Sequence, residues 1–294
     1  MMKLALIGEG IAQSQSPDLH RRLGGKVGLE VQYDLVDALG QTDFHFASAV
    51  NGLRAAGYRG TNVTYPFKEL ACHLADQRSA GVDRVGTANT LLFDGGRVLA
   101  DNTDYSGFIS AYRHQLGNRP AGEVLLIGAG GVGRAIACAL GELGVKRVHV
   151  MERDPVRSSL LCRDLQQMNI QADSVSAAAA KARLGDWQGI VNCTPVGHVN
   201  HPGCPIPTDD LQAHHWVFDA VYIPAQTRLL AAAEARGSTL LTGVELFIFQ
   251  GVDAFRRFAA DQVDASDIDV HVMSLFRHYY QQLVTVTSDQ TTDS

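Results

Sequence analysis

The chain has 294 residues, 46% of them hydrophobic and 19% charged, which provides for a sizeable core in one or two domains. A net charge of −6 excludes the broadly basic face of a nucleic-acid binder. No apolar run approaches the roughly 20 residues needed to span a bilayer, so no membrane partner is expected. The start, Met1-Met2-Lys3, runs into a strand pattern without the features of a signal peptide. The five cysteines (Cys72, Cys138, Cys162, Cys193, Cys204) form no C-x-x-C pair and read as free thiols. A cytoplasmic location is the resulting expectation.

In chain order, Leu4–Ile7 predicts a strand, followed by a tight turn at Gly8-Glu9-Gly10. That turn is an incomplete G-x-G: Gln13 stands at the third glycine position and a Ser-Pro pair interrupts the helix start. It reads as a substrate-side loop. Ser16-Pro17 supplies an N-cap and an N1 proline for a helix over Pro17–Val27. A strand at Val31–Val36, a helix at Thr42–Ala56 stopped by Gly57, and a strand at Thr61–Thr64 follow. This alternation implies a small parallel or mixed sheet. Thr87–Phe93 and Arg97–Ala100 flank Asp94-Gly95-Gly96 as a hairpin. Beyond Asp104 come a helix at Tyr105–Leu116 and a loop at Gly117–Gly122, near which the domain boundary is placed.

Val124–Ile127 then reads as a buried strand, and Gly128, Gly130 and Gly133 fall in G-x-G-x-x-G spacing before a helix that stops at Gly144. The first glycine allows the tight turn, the second lets backbone approach a pyrophosphate, and the third lets helix and strand pack closely. Amides at the helix start would face the phosphates. Glu152 ends the next strand, Arg147–Met151, at the distance expected of a ribose ligand. Asp154-Pro155 opens a helix over 155–167, and further strands are expected near 171–175, 189–193, 216–221 and 239–241. Ser176–Leu184 reads as a short helix, Gly243 leads into a helix over Val244–Phe258, and the tail from Ser288 reads as polar and frayed. The fold class is α/β with two domains: an N-terminal α/β substrate domain and a Rossmann-type dinucleotide-binding domain.

Four motifs converge ahead of the glycine fingerprint. They are Ser14-Gln15-Ser16-Pro17 with His20, Asn62-Val63-Thr64-Tyr65-Pro66-Phe67-Lys68, Ala88-Asn89-Thr90, and Asp101-Asn102-Thr103-Asp104. In this order they resemble the shikimate dehydrogenase family, including its quinate/shikimate dehydrogenase branch, over most of the chain as far as Gly243…Gln250. The resemblance implies a substrate domain of residues 1–104 completed by C-terminal helices over 244–287, a dinucleotide domain of residues 105–243, and substrate in a cleft between them. It further implies interconversion of shikimate and 3-dehydroshikimate, as in aromatic amino acid biosynthesis, with Lys68 and Asp104 as the catalytic pair. The chemistry is apt in its own right: oxidising a secondary alcohol needs a base for the hydroxyl proton, and a lysine beside a carboxylate can pass a proton and stabilise oxyanion charge. The plain alternative is a surface lysine at a helix start and an aspartate capping the helix at Tyr105.

By the same resemblance, Ser14 and Ser16 match the pair that binds the substrate carboxylate, and Asn62, Thr64, Asn89 and Gln250 the polar residues around the ring hydroxyls. Tyr222 matches a cleft tyrosine. Thr194-Pro195-Val196-Gly197 and Val221 match loops at the nicotinamide half, with Gly243 and Leu246 on the same side. The pyrophosphate falls to Gly128, Ala129, Gly130, Gly131, Val132 and Gly133. NADP-using members tend to carry an N-R-T/S run after the second strand, whereas this chain has Met151-Glu152-Arg153-Asp154. A carboxylate there accepts ribose hydroxyls and repels a 2′-phosphate, so NAD is expected, while Arg153 and Arg157 keep NADP open. Two other readings compete: an aminoshikimate or related polyol-acid dehydrogenase, and a catalytically silent dinucleotide-binding sensor, against which intact Lys68 and Asp104 argue. Cys193, His198, His201 and Cys204 lack the spacing of a usual zinc site, and no metal is expected. The partner is a small molecule, and the assembly a monomer or homodimer.

Overall fold

A computed structural model describes residues 1–289, and the chain divides into two compact units. The first comprises Met1–Gly107 and Ile248–Leu275; the second comprises Phe108–Phe247 and the chain from Phe276. The tail reading from Ser288 falls mostly on residues outside those described. Among the described residues no helix is long and apolar enough to cross a membrane.

The first unit is built on a mixed six-stranded sheet. Its strands are β1 (Met2–Gly8), β2 (Val31–Asp37), β3 (Gly60–Val63), β4 (Gln77–Arg78), β5 (Thr90–Asp94) and β6 (Arg97–Asp101), in the order β2-β1-β3-β5-β6-β4. β1 is parallel to both neighbours, whereas β3, β5 and β6 run antiparallel in turn. The hairpin turns at Gly95 and Gly96, with φ of +53° and +79°, the left-handed pair that a two-residue turn requires. A core including Ile7, Phe46, Val50, Val63, Phe67 and Leu91 covers one face.

Helix α1 (Ser16–Lys26) starts one residue earlier than predicted, so Ser16 is not its cap. Gln15 holds the cap position, and Ser14 Oγ accepts the Ser16 amide at 3.3 Å instead. Helix α2 (Phe46–Ala55) begins four residues later than Thr42. The Asp37 carboxylate gathers the amides of Gly10, Ile11 and Leu39, and a turn at Gln41–Phe44 uses up the stretch where the helix would have started. Short helices α3 (Lys68–Leu74) and α4 (Ala80–Val85) follow, and α5 (Thr103–Leu116) contributes its first turn to this unit. Residues 248–259 of α10 (Gly243–Ala259) pack back on the sheet: Arg59 Nε donates to the Phe258 carbonyl at 3.1 Å, and a Cβ at Gly60 would lie 2.5 Å from the Phe258 ring. Helix α11 (Ala265–Asp269) completes the unit.

The second unit is a wholly parallel sheet of β7 (Gly122–Ile127), β8 (Val145–Met151), β9 (Ala172–Ser174), β10 (Gly189–Asn192), β11 (Trp216–Asp219) and β12 (Thr239–Leu241). Helices α6 (Gly131–Glu142), α7 (Pro155–Gln167), α8 (Ala177–Ala182) and α9 (Arg228–Ala235) connect them. The order β12-β11-β10-β7-β8-β9 reverses between β7 and β10, the doubly wound arrangement that places ligands at the carboxyl ends of those strands. Asp154 caps α7 through the Val156 amide at 2.9 Å, and Ser176 caps α8 through Ala179, as their residue types predict. Not all of residues 244–287 belongs with the first unit. In α12 (Val272–Asp289), Phe276 stacks on His114, Tyr279 meets Phe247 edge-on, and Tyr280 shares a hydrogen bond with Thr242, which ties that half of the helix to the second unit.

Candidate active site

Lys68 and Asp104 are 36 residues apart in sequence, and the fold of the first unit brings them into contact. Strand β3 ends in Thr64-Tyr65-Pro66-Phe67, and Phe67 anchors this turn between Phe44 and Phe46. Lys68 thereby becomes the first residue of α3, and its carbonyl accepts the Ala88 amide at 2.9 Å. Its Nζ lies 2.6 Å from Asp104 Oδ2, with the two side chains only 13% and 10% exposed. Asp104 does not cap α5. Asn102 does, with Oδ1 accepting the Tyr105 amide at 3.1 Å and Nδ2 donating to Thr87. The aspartate, in the first turn of α5, is therefore left to pair with the lysine.

Behind this pair lies a buried polar chain. Asn89 Oδ1 accepts the Thr103 amide at 2.7 Å, and its Nδ2 donates to Thr103 Oγ1 at 3.0 Å, which fixes the residue before Asp104. Asn62 Nδ2 donates to Thr90 Oγ1 at 3.1 Å, and its Oδ1 accepts the Tyr33 hydroxyl at 2.8 Å. Asn62 and Asn89 thus spend much of their bonding capacity on the protein. Tyr33, Thr90, Asn102 and Thr103 escape residue-by-residue reading. Thr90, Asn102 and Thr103 lie inside the quoted motifs, but only strand pairing reveals whom they hold. Tyr33 carries no local signal.

Burial drives the Tyr33 phenol upward, against a hydrogen bond from Ser16. His20 stacks on Tyr33 at 4.8 Å; burial pushes its imidazole down to about 3, against a hydrogen bond with Asn62. A ring held neutral in this way is a packing element and not an acid–base group. Thr64 is seated by its amide bond to Ile7 at 2.9 Å, and a side chain at Gly8 would strike its methyl. Gln250 is brought against α5, since a Cβ at Gly107 would lie 2.6 Å from its amide nitrogen. Gly107 is close to one turn beyond Asp104.

In the second unit the first and third fingerprint glycines show the tight turn and the close packing expected of them, and the second is open. Gly128 has φ of +97°, and a Cβ on Gly133 would lie 2.0 Å from the Gly128 carbonyl oxygen. A Cβ on Gly130 would meet nothing within 4 Å, and Gly130 sits at the N-cap of α6 without a side chain to close it. Gly131 and Val132 are the first residues of α6, where amides lack an intrahelical acceptor, which suits a pyrophosphate. Glu152 Oε2 accepts the Ala129 amide at 2.8 Å, and Oε1 accepts Arg153 at 2.7 Å and Asp154 at 3.2 Å. Burial raises its carboxyl, but these amides and Arg157 outweigh burial and leave it below the usual range. It stays anionic at the tip of β8. Arg157 is mostly exposed and lies 3.8 Å from Asp154. These features fit a dinucleotide.

Thr194 donates its amide (3.0 Å) and hydroxyl (2.7 Å) to Asn192, and Val196 lends its carbonyl to Asn192 Nδ2 at 3.0 Å. The Val221 amide is held by Asp219, Tyr222 stacks on Phe247 at 5.2 Å, and Leu246 is buried on α10. Gly243 lies against the carbonyl of Val221. Among the described residues no group of three or more His, Cys, Asp or Glu is arranged to hold a metal ion.

A doubly wound dinucleotide fold, joined in one chain to a unit with a half-buried lysine–aspartate pair, defines the class of a two-unit nucleotide-dependent dehydrogenase. Comparison with known proteins agrees. Residues 6–91 match the family described as the shikimate dehydrogenase substrate binding domain, and residues 112–194 match shikimate/quinate 5-dehydrogenase. The chain is 36% identical over 266 residues to the shikimate dehydrogenase (NADP(+)) of Streptomyces avermitilis, covering 89% of this chain and 91% of the relative. It is 35% identical over 279 residues to the quinate/shikimate dehydrogenase (NAD(+)) of Corynebacterium efficiens, covering 92% and 98%. The quinate dehydrogenase of Corynebacterium glutamicum in complex with NAD superposes with a TM-score of 0.85 at 33% identity, covering 93% of this chain and 99% of the other. The chain belongs to the shikimate dehydrogenase family.

Proposed function

We propose that this protein interconverts shikimate and 3-dehydroshikimate with a nicotinamide cofactor, that NAD is preferred to NADP, and that Lys68 and Asp104 are the catalytic residues. The observation that carries the reading is the 2.6 Å Lys68–Asp104 contact, set within the motifs that the family shares. A bound nicotinamide supplies the hydride acceptor for oxidation and the donor for reduction. The chain's own residues handle the proton. As the substrate C–H is lost, the hydroxyl proton leaves to the Lys68–Asp104 pair, and the ammonium stabilises negative charge on the oxygen. In reduction the pair returns that proton to the carbonyl oxygen. Low exposure of both side chains keeps water from competing for the same bonds.

Ser14 and Ser16, at the start of α1, are the hydroxyl donors for the substrate carboxylate, while Thr64, Asn89 and Gln250 meet the ring hydroxyls with Asn62 bracing them. Tyr222 is proposed as a further substrate-binding residue by the family's pattern. NAD preference rests on Glu152, whose anionic carboxylate would accept ribose hydroxyls and repel a 2′-phosphate. The relatives themselves divide, with NADP in the Streptomyces enzyme's name and NAD in the Corynebacterium enzymes' names. The test is steady-state turnover of shikimate and quinate, each with NAD and with NADP. Shikimate-dependent formation of the reduced cofactor and 3-dehydroshikimate in equal amounts is expected, and its absence with both cofactors would overturn the reading.

A further inference from the structure

At the carboxyl ends of β10 and β11, two buried polar residues face each other in register: Asn192 and Asp219. Asn192 Nδ2 donates to Asp219 Oδ1 at 2.9 Å and also to the Val196 carbonyl at 3.0 Å. Its Oδ1 takes the amide and hydroxyl of Thr194. Asp219 Oδ1 further accepts the Val221 amide at 3.1 Å, and Oδ2 accepts the Thr227 hydroxyl at 2.7 Å. Thr227 is itself the N-cap of α9, accepting the Leu230 amide. Both Asn192 and Asp219 are fully buried, so each bond replaces one lost to water, and an unpaired member would be costly. Gly243 then packs on the far side of the same segment: a Cβ there would lie 2.5 Å from the Val221 carbonyl oxygen. One carboxylate therefore fixes, directly or through Asn192, the backbone of 194–196 and of 221, and with them the seat of Gly243.

We infer that Asp219 is a positioning residue for nicotinamide binding, holding the 194–196 loop and Val221 as one wall through Asn192, Val221 and Thr227. The inference rests on the proposed function, which gives Thr194, Val196 and Val221 to the nicotinamide half of the cofactor. The pyrophosphate and adenosine side is given instead to Gly128–Gly133 and Glu152, which is bonded to the Ala129 amide. The two halves of the dinucleotide should therefore respond differently to a change at 219. Asp219→Asn nearly keeps the shape but offers a single acceptor oxygen to three converging donors. Thr227→Val removes only the hydroxyl, and Thr227→Ser restores it.

The experiment measures equilibrium affinity for NADH by fluorescence, and for ADP-ribose by calorimetry, in the wild type and these three variants. Asp219→Asn and Thr227→Val should each weaken NADH by roughly tenfold, the scale of one lost bond to a buried charge, and Thr227→Ser should recover most of the loss. ADP-ribose affinity should stay within about twofold of the wild type throughout. Equal weakening of NADH and ADP-ribose would mean that the network merely holds the fold together, and would overturn the inference. So would unchanged NADH affinity in Thr227→Val, a variant that keeps the inference testable even if Asp219→Asn does not fold. A wild type that binds ADP-ribose but not NADH would overturn the functional reading along with it.

Discussion

Lys68 and Asp104 are in contact, and a third residue, Asn102, takes the capping role that either acidic or amide side chains could fill at the start of α5. Replacing the lysine should therefore damage chemistry more than binding. Lys68→Ala is expected to lower kcat by about 10²–10⁴-fold with a much smaller change in the KM for shikimate, and Asp104→Asn should show a similar loss with an altered pH profile. Near-wild-type turnover in either variant would remove that residue from the mechanism. Ser16 carries a different expectation. Shikimate and quinate differ at the ring carbon that bears the carboxylate, and family members that favour quinate tend to have threonine at this position. An added methyl is worth about 1–3 kcal/mol, so Ser16→Thr should move kcat/KM toward quinate without excluding shikimate. A wild type as efficient with quinate would place specificity elsewhere.

Asp219 adds a titration that is visible in stability. Burial pushes its carboxyl up to about 6 from an ordinary value of 3.8, against the bonds from Thr227, Val221 and Asn192. A carboxyl raised by folding stabilises the fold most when protonated, below the unfolded value, and that contribution is lost as pH rises through about 6. A displacement of this size corresponds to roughly 2–3 kcal/mol. The stability of Asp219→Asn relative to the wild type should therefore rise between pH 4 and 7, as read from denaturant midpoints at each pH. A difference that stays constant over that range would contradict this account.

At the scale of elements, local rules explain where helices start when the cap and its target are adjacent. Asp154-Pro155 was legible as such a start, and Ser176, read as the first residue of its helix, proves to be its cap. Local rules mislead where another side chain takes the stretch first: Asp37 gathers the amides of Gly10, Ile11 and Leu39 in the loop before α2, and Ser14 accepts the Ser16 amide ahead of α1, which has no side-chain cap. Helix α10 shows a capping box, Thr242 to Glu245, in which each side chain serves the other's amide. The buried Glu245 also accepts from Gln115 of α5, a contact across 130 residues that no window of sequence displays. Asn102 is the element-level test of the site. Asn102→Ala should cost about 0.5–2 kcal/mol of stability as a lost cap, and should lower kcat beyond what Asn102→Asp does, because it loosens the turn that aims Asp104. Equal kcat in the two variants would separate the cap from the catalytic geometry.

For the whole molecule, the glycine fingerprint and the shared motifs carried the fold class, because each is a short run whose glycines and polar residues have one physical use. What stayed out of reach was the bonding between motifs: that Asn89 holds Thr103, that Tyr33 stands behind Asn62, and that Asn192 and Asp219 lock two loops. Those pairings depend on strand register, which is set by the sheet and not by neighbours in sequence. The division of the chain early in α12, between Leu275 and Phe276, was likewise hidden, since an amphipathic helix does not declare which core it covers.

The central claim, an NAD-preferring shikimate oxidoreductase, turns on one carboxylate at the tip of β8. Glu152 braces Ala129 and, in the proposed reading, would repel a 2′-phosphate, so Glu152→Asn should weaken NAD while narrowing its advantage over NADP. The most direct measurement is kcat/KM for NAD and for NADP at saturating shikimate, in the wild type and in Glu152→Asn. The account predicts a clear NAD preference in the wild type that shrinks in the variant; a wild type that prefers NADP would contradict it.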